Sequence, residues 1–87
     1  MKKNFKTKQD IEKELISIIS EIYNIKNDLL NKEDNFKDHI AWDSMNGLMI
    51  MMKINDNIIN NILPEDILGS NSIEDLSEKI YIKLNHK

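Results

Sequence analysis

Cysteine is absent from this sequence, and so is any long apolar run. Without cysteine the chain forms neither disulfides nor thiolate metal sites, which excludes a disulfide-stapled secreted scaffold. No stretch approaches the roughly 18 apolar residues of a membrane-spanning helix. The polar segment from Met1 to Gln9 lacks the apolar core of a signal peptide. We therefore expect a cytoplasmic protein with no membrane partner.

Arginine is missing too, since all 12 basic residues are lysines. The chain thus lacks the side chain best suited to bidentate contacts with guanine or phosphate. Lys2, Lys3, Lys6 and Lys8 place +4 in the first nine residues, so the remainder carries −7, the difference between the net charge of −3 and +4. Nucleic-acid binding is therefore not expected, and residues 1–7 are interpreted as a frayed, lysine-rich terminus.

The length of 87 residues predicts one domain spanning residues 1–87. A domain of this size hides only about 60–65% of the surface that its unfolded chain exposes, which leaves no room for a deep catalytic cleft. The 40% hydrophobic and 31% charged content argues against disorder. We expect a binding module and not an enzyme.

Apolar residues recur at helical spacing, and no strand-like alternation of useful length appears. Thr7 opens a T-x-x-D arrangement close to a capping box, which predicts a helix from Lys8 to Tyr23. The outer face of this helix is expected to carry Glu12, Lys13, Glu14 and Glu21.

The only proline, Pro64, predicts the first residue of a short helix that Gly69 ends as a left-handed cap. Ser72 begins a last helix, whose inward face comprises Ile73, Leu76, Ile80 and Leu84. The predicted fold is all-α: a small four-helix bundle, with three longer helices and one short helix, and a long first loop.

That loop runs from Asn24 to Ala41 and is expected to be ordered, with a short helical turn around Asn27–Asn31. Its apolar residues should plug into the core: Ile25, Leu29, Leu30, Phe36 and Ile40. His39 is interpreted as a loop residue without a catalytic role, because a serine–histidine pair also needs an orienting acid and an oxyanion hole, and no G-x-S-x-G elbow is present.

The segment from Trp42 to Ile59 carries the candidate site. Asp43 is a preferred N-cap residue, so Ser44 should lie in the first turn of a helix. Unpaired amides and the positive end of the helix dipole favour a negatively charged substituent there, such as a phosphodiester. Trp42 should pack at the helix start, but its usual N4 contact would be Gly47, so Leu48 or loop residues are the expected neighbours.

This second helix is apolar on two faces. One face should belong to the core and comprises Ile50, Met51, Ile54 and Ile58. The other should be covered by a ligand, a partner protein or more of the chain, and comprises Met45, Leu48, Met49 and Met52. The alternative is a central helix that is buried all round.

The triplet Asp43-Ser44-Met45, opened by Trp42, resembles the attachment site of the acyl and peptidyl carrier protein family. In that family the corresponding serine receives 4′-phosphopantetheine. The resemblance extends to two downstream segments and covers roughly residues 8–84: ILPEDI at residues 62–67 is similar to the family's short third helix, and SIEDL at residues 72–76 is similar to the start of its fourth.

The resemblance implies a stand-alone monomeric carrier that holds acyl or aminoacyl groups as thioesters on a phosphopantetheine attached covalently to Ser44. The implied partners are a phosphopantetheinyl transferase, a loading ligase and acyl-transferring enzymes of fatty acid or secondary metabolite biosynthesis. Asp43 would cap the helix and help the transferase and its magnesium ion to engage. No catalytic residue and no metal site of the chain's own is implied.

The sequence departs from the family where acidic residues are usual in this helix, since it has Asn46, Asn55 and Asn57 and only Asp56 is acidic. Partners are therefore expected to touch the apolar face of Met45, Leu48, Met49 and Met52. The main alternative is a small helical adaptor that uses this face without a prosthetic group. A DNA-binding domain and a hydrolase based on Ser44 are the third and fourth alternatives.

Overall fold

The computed structural model describes residue 5 and residues 7–85, and all regular structure in this part of the chain is helical. Two single 3₁₀ turns lie in the first loop, at Asn27–Leu29 and Phe36–Asp38. The all-α bundle of three longer helices and one short helix is confirmed, with α1 at Lys8–Tyr23, α2 at Ser44–Asn57, α3 at Pro64–Leu68 and α4 at Ile73–Asn85. Of the predicted frayed terminus, residues 1–7, the structure describes Phe5 and Thr7. Phe5 packs against the core and Thr7 caps α1, so these two residues are not frayed, and the rest of the prediction lies outside the described residues.

Local signals fix both ends of α1. The Thr7 hydroxyl accepts a hydrogen bond from the Asp10 amide at 3.1 Å, and the Asp10 carboxylate accepts one from the Thr7 amide at 3.2 Å. This reciprocal box satisfies two amides at the helix start. Asn24 ends the helix with a left-handed φ of 59°, a conformation that asparagine tolerates well. The observed bounds are the predicted ones.

The core lies where α1, α2 and α4 meet and consists mainly of isoleucine. Its fully buried members include Ile11, Leu15, Ile19, Ile50, Ile54, Ile73, Leu76 and Ile80. Glu12 was expected on the outer face, but only 6% of it is exposed. Because α1 packs against α2, α4 and the first turn of the loop, the covered part of its surface is wider than the apolar stripe alone.

The first loop is pinned to the core by only part of its apolar set. Leu30 and Phe36 are buried, and the Tyr23 hydroxyl donates to the Phe36 carbonyl at 2.6 Å. The expectation was wrong for Leu29 and Ile40, which are 64% and 97% exposed. Leu30, which directly follows the 3₁₀ turn, takes the inward position, and Ile40 lies at the tip of a turn.

That turn is closed by a 3.0 Å hydrogen bond from the Trp42 amide to the His39 carbonyl. A residue at the tip of a turn points away from the body of the protein, which explains the exposure of Ile40. The turn leads the chain directly into the first turn of α2.

Helix α3 is a short element that tertiary contacts hold in place. Pro64 is its first residue, as predicted, but Gly69 does not adopt the predicted left-handed conformation, because its φ is −83°. The buried Ser70 closes the helix instead, since its hydroxyl donates to the Asp66 carbonyl at 2.7 Å. Lys37 donates to the carbonyl of Leu68 at the other side of this end.

The N-terminal end of α3 is tied to α4 by an ion pair. The Lys83 ammonium lies 2.9 Å from the Asp66 carboxylate, which also accepts the Leu63 amide at 2.9 Å. Burial alone would raise the pKa of Asp66, but the hydrogen bond from Leu63 and the charge of Lys83 outweigh it and hold this pKa below its ordinary value. In the described part of the chain, no helix is long and apolar enough to cross a membrane.

Candidate functional site

Ser44 is the first residue of α2, and its side chain is exposed. Asp43 has extended backbone geometry and caps the helix, with its carboxylate accepting the Asn46 amide at 2.7 Å. The Asn46 side chain in turn donates to the Ala41 carbonyl at 2.8 Å. These two bonds hold the end of the loop against the first turn of α2 and so fix the position of Ser44.

Within the described residues the Ser44 hydroxyl makes no hydrogen bond. The amides ahead of Asn46 belong to the set that a helix leaves without intrahelical partners. Together with the positive end of the helix dipole, they make the surroundings of Ser44 favourable for an anionic substituent. The predicted position of Ser44 is thus the observed one.

Trp42 packs against Gly47, one turn into α2. A Cβ atom added to Gly47 would lie 2.8 Å from Cη2 of Trp42, which is closer than real Cβ contacts come. The indole also meets the Phe36 ring edge-on, with 5.9 Å between ring centroids. The expectation that glycine at N4 makes a poor staple was wrong, because its missing side chain is what admits the indole. The expected loop contact is present as Phe36.

A largely apolar cavity of about 320 Å³ opens beside Ser44. It lies between the N-terminal half of α2 and the short helix α3, and it is lined by Trp42, Ser44, Gly47, Leu48, Pro64, Ile67 and Leu68. The sequence did not reveal this cavity, because two of its walls come from segments about 20 residues apart. The one local signal of the cavity in the sequence was Gly47, a glycine in the first turns of an apolar helix.

The two apolar faces of α2 are both observed. Ile50 and Ile54 are fully buried, and Ile58 is 3% exposed. On the other side Met45, Leu48, Met49 and Met52 are 67%, 48%, 41% and 59% exposed. We call this second set the methionine face. The alternative of a helix buried all round is therefore wrong for the isolated chain.

His39 is held by contacts within the loop. Its Nδ1 accepts the Ala41 amide at 3.0 Å, and its ring lies against Tyr23 with 4.8 Å between centroids. Burial, together with the negative charge of Asp43, raises the pKa of Tyr23 to about 12. At neutral pH the phenol therefore keeps the proton that it donates to the Phe36 carbonyl, and the loop is anchored to α1.

In the portion of the chain that the structure describes, no group of three or more histidine, cysteine, aspartate or glutamate residues could hold a metal ion. Comparison of the chain with protein-family models, with curated proteins and with solved structures finds no match.

Proposed function

We propose that this protein is a stand-alone carrier that holds an acyl or aminoacyl group on a 4′-phosphopantetheine arm attached to Ser44. The observation that carries the proposal is the setting of Ser44. It is an exposed hydroxyl at the start of a helix of 14 residues, between an apolar cavity and an exposed apolar face. The Asp-Ser-Met triplet resembles the attachment site of carrier proteins, and this resemblance is the reason for proposing 4′-phosphopantetheine as the arm.

The first turn of α2 suits the phosphodiester of such an arm. The Asp43 carboxylate accepts a hydrogen bond from the Asn46 amide, and the Asp43 backbone carbonyl accepts one from the Gly47 amide at 2.9 Å. The amides of Ser44 and Met45 lie one turn earlier than a helical acceptor would allow, so they have no intrahelical partner. They face the helix start, where the helix dipole favours negative charge. By the family resemblance, Asp43 would also help the transferase and its magnesium ion to engage.

The cavity beside Ser44 suits the part of the arm that follows the phosphate. Its volume of about 320 Å³ falls within the range of about 300–1,000 Å³ typical of small-molecule sites. Trp42 and Leu48 form one side and Leu68 lies on the other, so an arm leaving Ser44 meets mostly apolar surface. When bound, the phosphopantetheine supplies a terminal thiol that holds the cargo as a thioester.

The methionine face supports docking of the enzymes that act on the arm. It begins at Met45, next to Ser44, and its unbranched, polarizable side chains adapt to surfaces of different shape. Since Asp56 is the only acidic residue in α2, recognition should depend on apolar contact more than on charge. A contiguous exposed apolar face of this kind is typical of an interaction site.

The proposal is tested by intact-mass measurement after incubation with a broad-specificity phosphopantetheinyl transferase and coenzyme A. We expect the wild-type protein to gain the mass of one phosphopantetheine and Ser44→Ala to gain none. Because Ser44 is exposed and makes no hydrogen bond to the described residues, the variant should fold as the wild type does. An unchanged wild-type mass with an active transferase would contradict the proposal.

A second candidate is the helical adaptor, which the methionine face also supports. In that case the face and the neighbouring cavity would receive an amphipathic helix of a partner. The adaptor would gain no mass from the transferase, so the same experiment separates the two functions.

A further inference from the structure

Most of the methionine sulfur of this chain lies in α2, the helix that begins at Ser44. The chain has no cysteine, and its sulfur is in five methionines. Three of them, Met45, Met49 and Met52, belong to the methionine face. A fourth, Met51, lies on the same helix but is half-buried against the core, and Met1 is outside the described residues.

We propose that Met45, Met49 and Met52 form an oxidation site, at which hydrogen peroxide converts the thioethers to sulfoxides and so blocks docking of the phosphopantetheinyl transferase at Ser44. The effect on docking rests on the proposed function, whereas the selectivity of oxidation rests on exposure alone. Cargo loading would thereby respond to oxidant without any cysteine in the chain.

The chemistry needs only peroxide as a co-reactant. A lone pair on the thioether sulfur attacks one peroxide oxygen, the O–O bond breaks, and the sulfur–oxygen bond of the sulfoxide forms. The sulfur loses two electrons, the peroxide is reduced, and the departing oxygen leaves as water after taking up the proton of the transferred hydroxyl. Exposure controls the rate at each position, so the three outward thioethers should react before that of Met51.

The three positions are neighbours on the helix surface. Met45 and Met49 are four residues apart, and Met49 and Met52 are three apart, so their side chains form one continuous stripe. A sulfoxide is polar, and each one formed places an oxygen that must be desolvated in the middle of an apolar contact. Leu48 has no sulfur and cannot compensate for the change.

Oxidation of these residues should leave the fold intact. The stripe points away from the core, and Ile50 and Ile54 hold α2 against the other helices. A loss of loading caused by oxidised methionines is therefore separable from a loss caused by unfolding. Far-ultraviolet circular dichroism and a thermal melt of the oxidised protein provide that check.

The experiment uses the protein without its arm, because the thiol of the arm would itself react with peroxide. The protein is treated with hydrogen peroxide, desalted, and incubated with the transferase and coenzyme A. Fragmentation of tryptic peptides locates each added oxygen, and kcat/KM for loading is measured. The control is the triple variant Met45→Leu, Met49→Leu, Met52→Leu, since leucine keeps the volume and apolar character without the sulfur.

We expect oxidation at the three exposed positions before Met51, and a fall in kcat/KM of about tenfold or more in the wild type, the size expected when a buried polar group lacks a partner. The triple variant should load at the same rate before and after peroxide. Treatment of the oxidised wild type with methionine sulfoxide reductases should restore loading.

The inference is overturned if Met51 is oxidised as fast as the exposed three, if the oxidised wild type loads normally, or if peroxide slows the triple variant equally. Failure of the proposed function looks different, because the untreated protein would then take up no arm at all. In that event the peptide map alone decides whether the oxidation site exists.

Discussion

Gly47 shows how a single missing side chain shapes the candidate site. Its Cα surface lies under the Trp42 indole, and both residues line the cavity beside Ser44. Because the atom that a Cβ would meet is at the far end of the Trp42 side chain, the indole can move aside at modest cost. The glycine therefore controls the shape of the cavity more than it controls the stability of the fold.

For Gly47→Ala we expect the only tryptophan of the chain to shift its fluorescence emission to longer wavelength, as the indole moves toward solvent. The free energy of unfolding should change by less than about 1 kcal/mol, because the higher helix propensity of alanine offsets the lost packing. Asp56→Ala, a substitution elsewhere in α2, is the control. An unchanged emission spectrum for Gly47→Ala would show that Trp42 does not pack on Gly47.

Tyr23 ties the loop to α1 through its hydroxyl, and its titration gives a second test at the residue scale. The folded-state pKa of about 12 lies above the ordinary value of 10.0, because burial and the charge of Asp43 disfavour the phenolate. The stabilisation from the neutral phenol is thus complete below pH 10 and is lost as the pH rises toward about 12.

Tyr23→Phe should lower the free energy of unfolding at pH 7 by about 0.5–1.5 kcal/mol, through loss of the hydrogen bond to the Phe36 carbonyl. The difference between wild type and variant should shrink between pH 10 and about pH 12. Denaturant unfolding at several pH values measures it. A difference that stays constant over this interval would place the phenol in solvent.

At the scale of elements, the cap of α2 is a feature that local sequence predicts and that the proposed function uses. Asp43→Ala should lower the free energy of unfolding by about 0.5–2 kcal/mol, because the Asn46 amide loses its acceptor. Under the proposed function, loading of Ser44 should also slow, because the carboxylate would help the transferase to engage.

Asp43→Asn separates the two roles, since asparagine is as good an N-cap residue as aspartate but carries no charge. We expect this variant to keep the stability of the wild type and to load slowly. Normal loading of Asp43→Ala, together with lowered stability, would mean that Asp43 is only a cap.

The sequence predicted those elements whose ends are set by local hydrogen bonds. The starts of α1 and α2 are of this kind, because Thr7, Asp10 and Asp43 act on amides within a few residues. The conformation of Gly69 was not predictable in this way, since the buried Ser70 hydroxyl binds the Asp66 carbonyl and Lys37 binds that of Leu68. Exposure of Ile40 likewise depends on a turn that periodicity does not report.

The candidate site likewise has a part that local sequence predicts and a part that it does not. The positions of Asp43, Ser44 and the methionine face follow from helical periodicity and one cap. The cavity requires α3 to lie beside α2, and this arrangement is supported by two hydrogen bonds between the Asn55 side chain and the backbone of Ile62. Lys37 from the loop and Lys83 from α4 also contact α3. Such long-range contacts leave no pattern within a single element.

At the scale of the whole molecule, the two faces of α2 should respond differently to the same charge. Met49→Glu adds a carboxylate to the exposed face and should spare the fold, while it slows loading and transfer by partner enzymes. Ile54→Glu places a carboxylate in the fully buried core and should unfold the domain. Thermal melts and loading rates measured on both variants check this.

Equal destabilisation by the two substitutions would show that the faces are assigned wrongly. The apolar account also predicts that loading depends only weakly on salt, because α2 offers little charge for long-range steering. A steep fall in the loading rate with rising ionic strength would favour electrostatic docking instead.

The most direct test of the central claim locates the arm on the chain. Trypsin cuts after lysine, so the peptide between Lys37 and Lys53 carries Ser44 as its only serine and contains no threonine. After incubation with the transferase and coenzyme A, we predict that peptide mass spectrometry finds one phosphopantetheine on this peptide and that fragmentation assigns it to Ser44. A peptide that stays unmodified with an active transferase, or an arm on any other serine, would contradict the account.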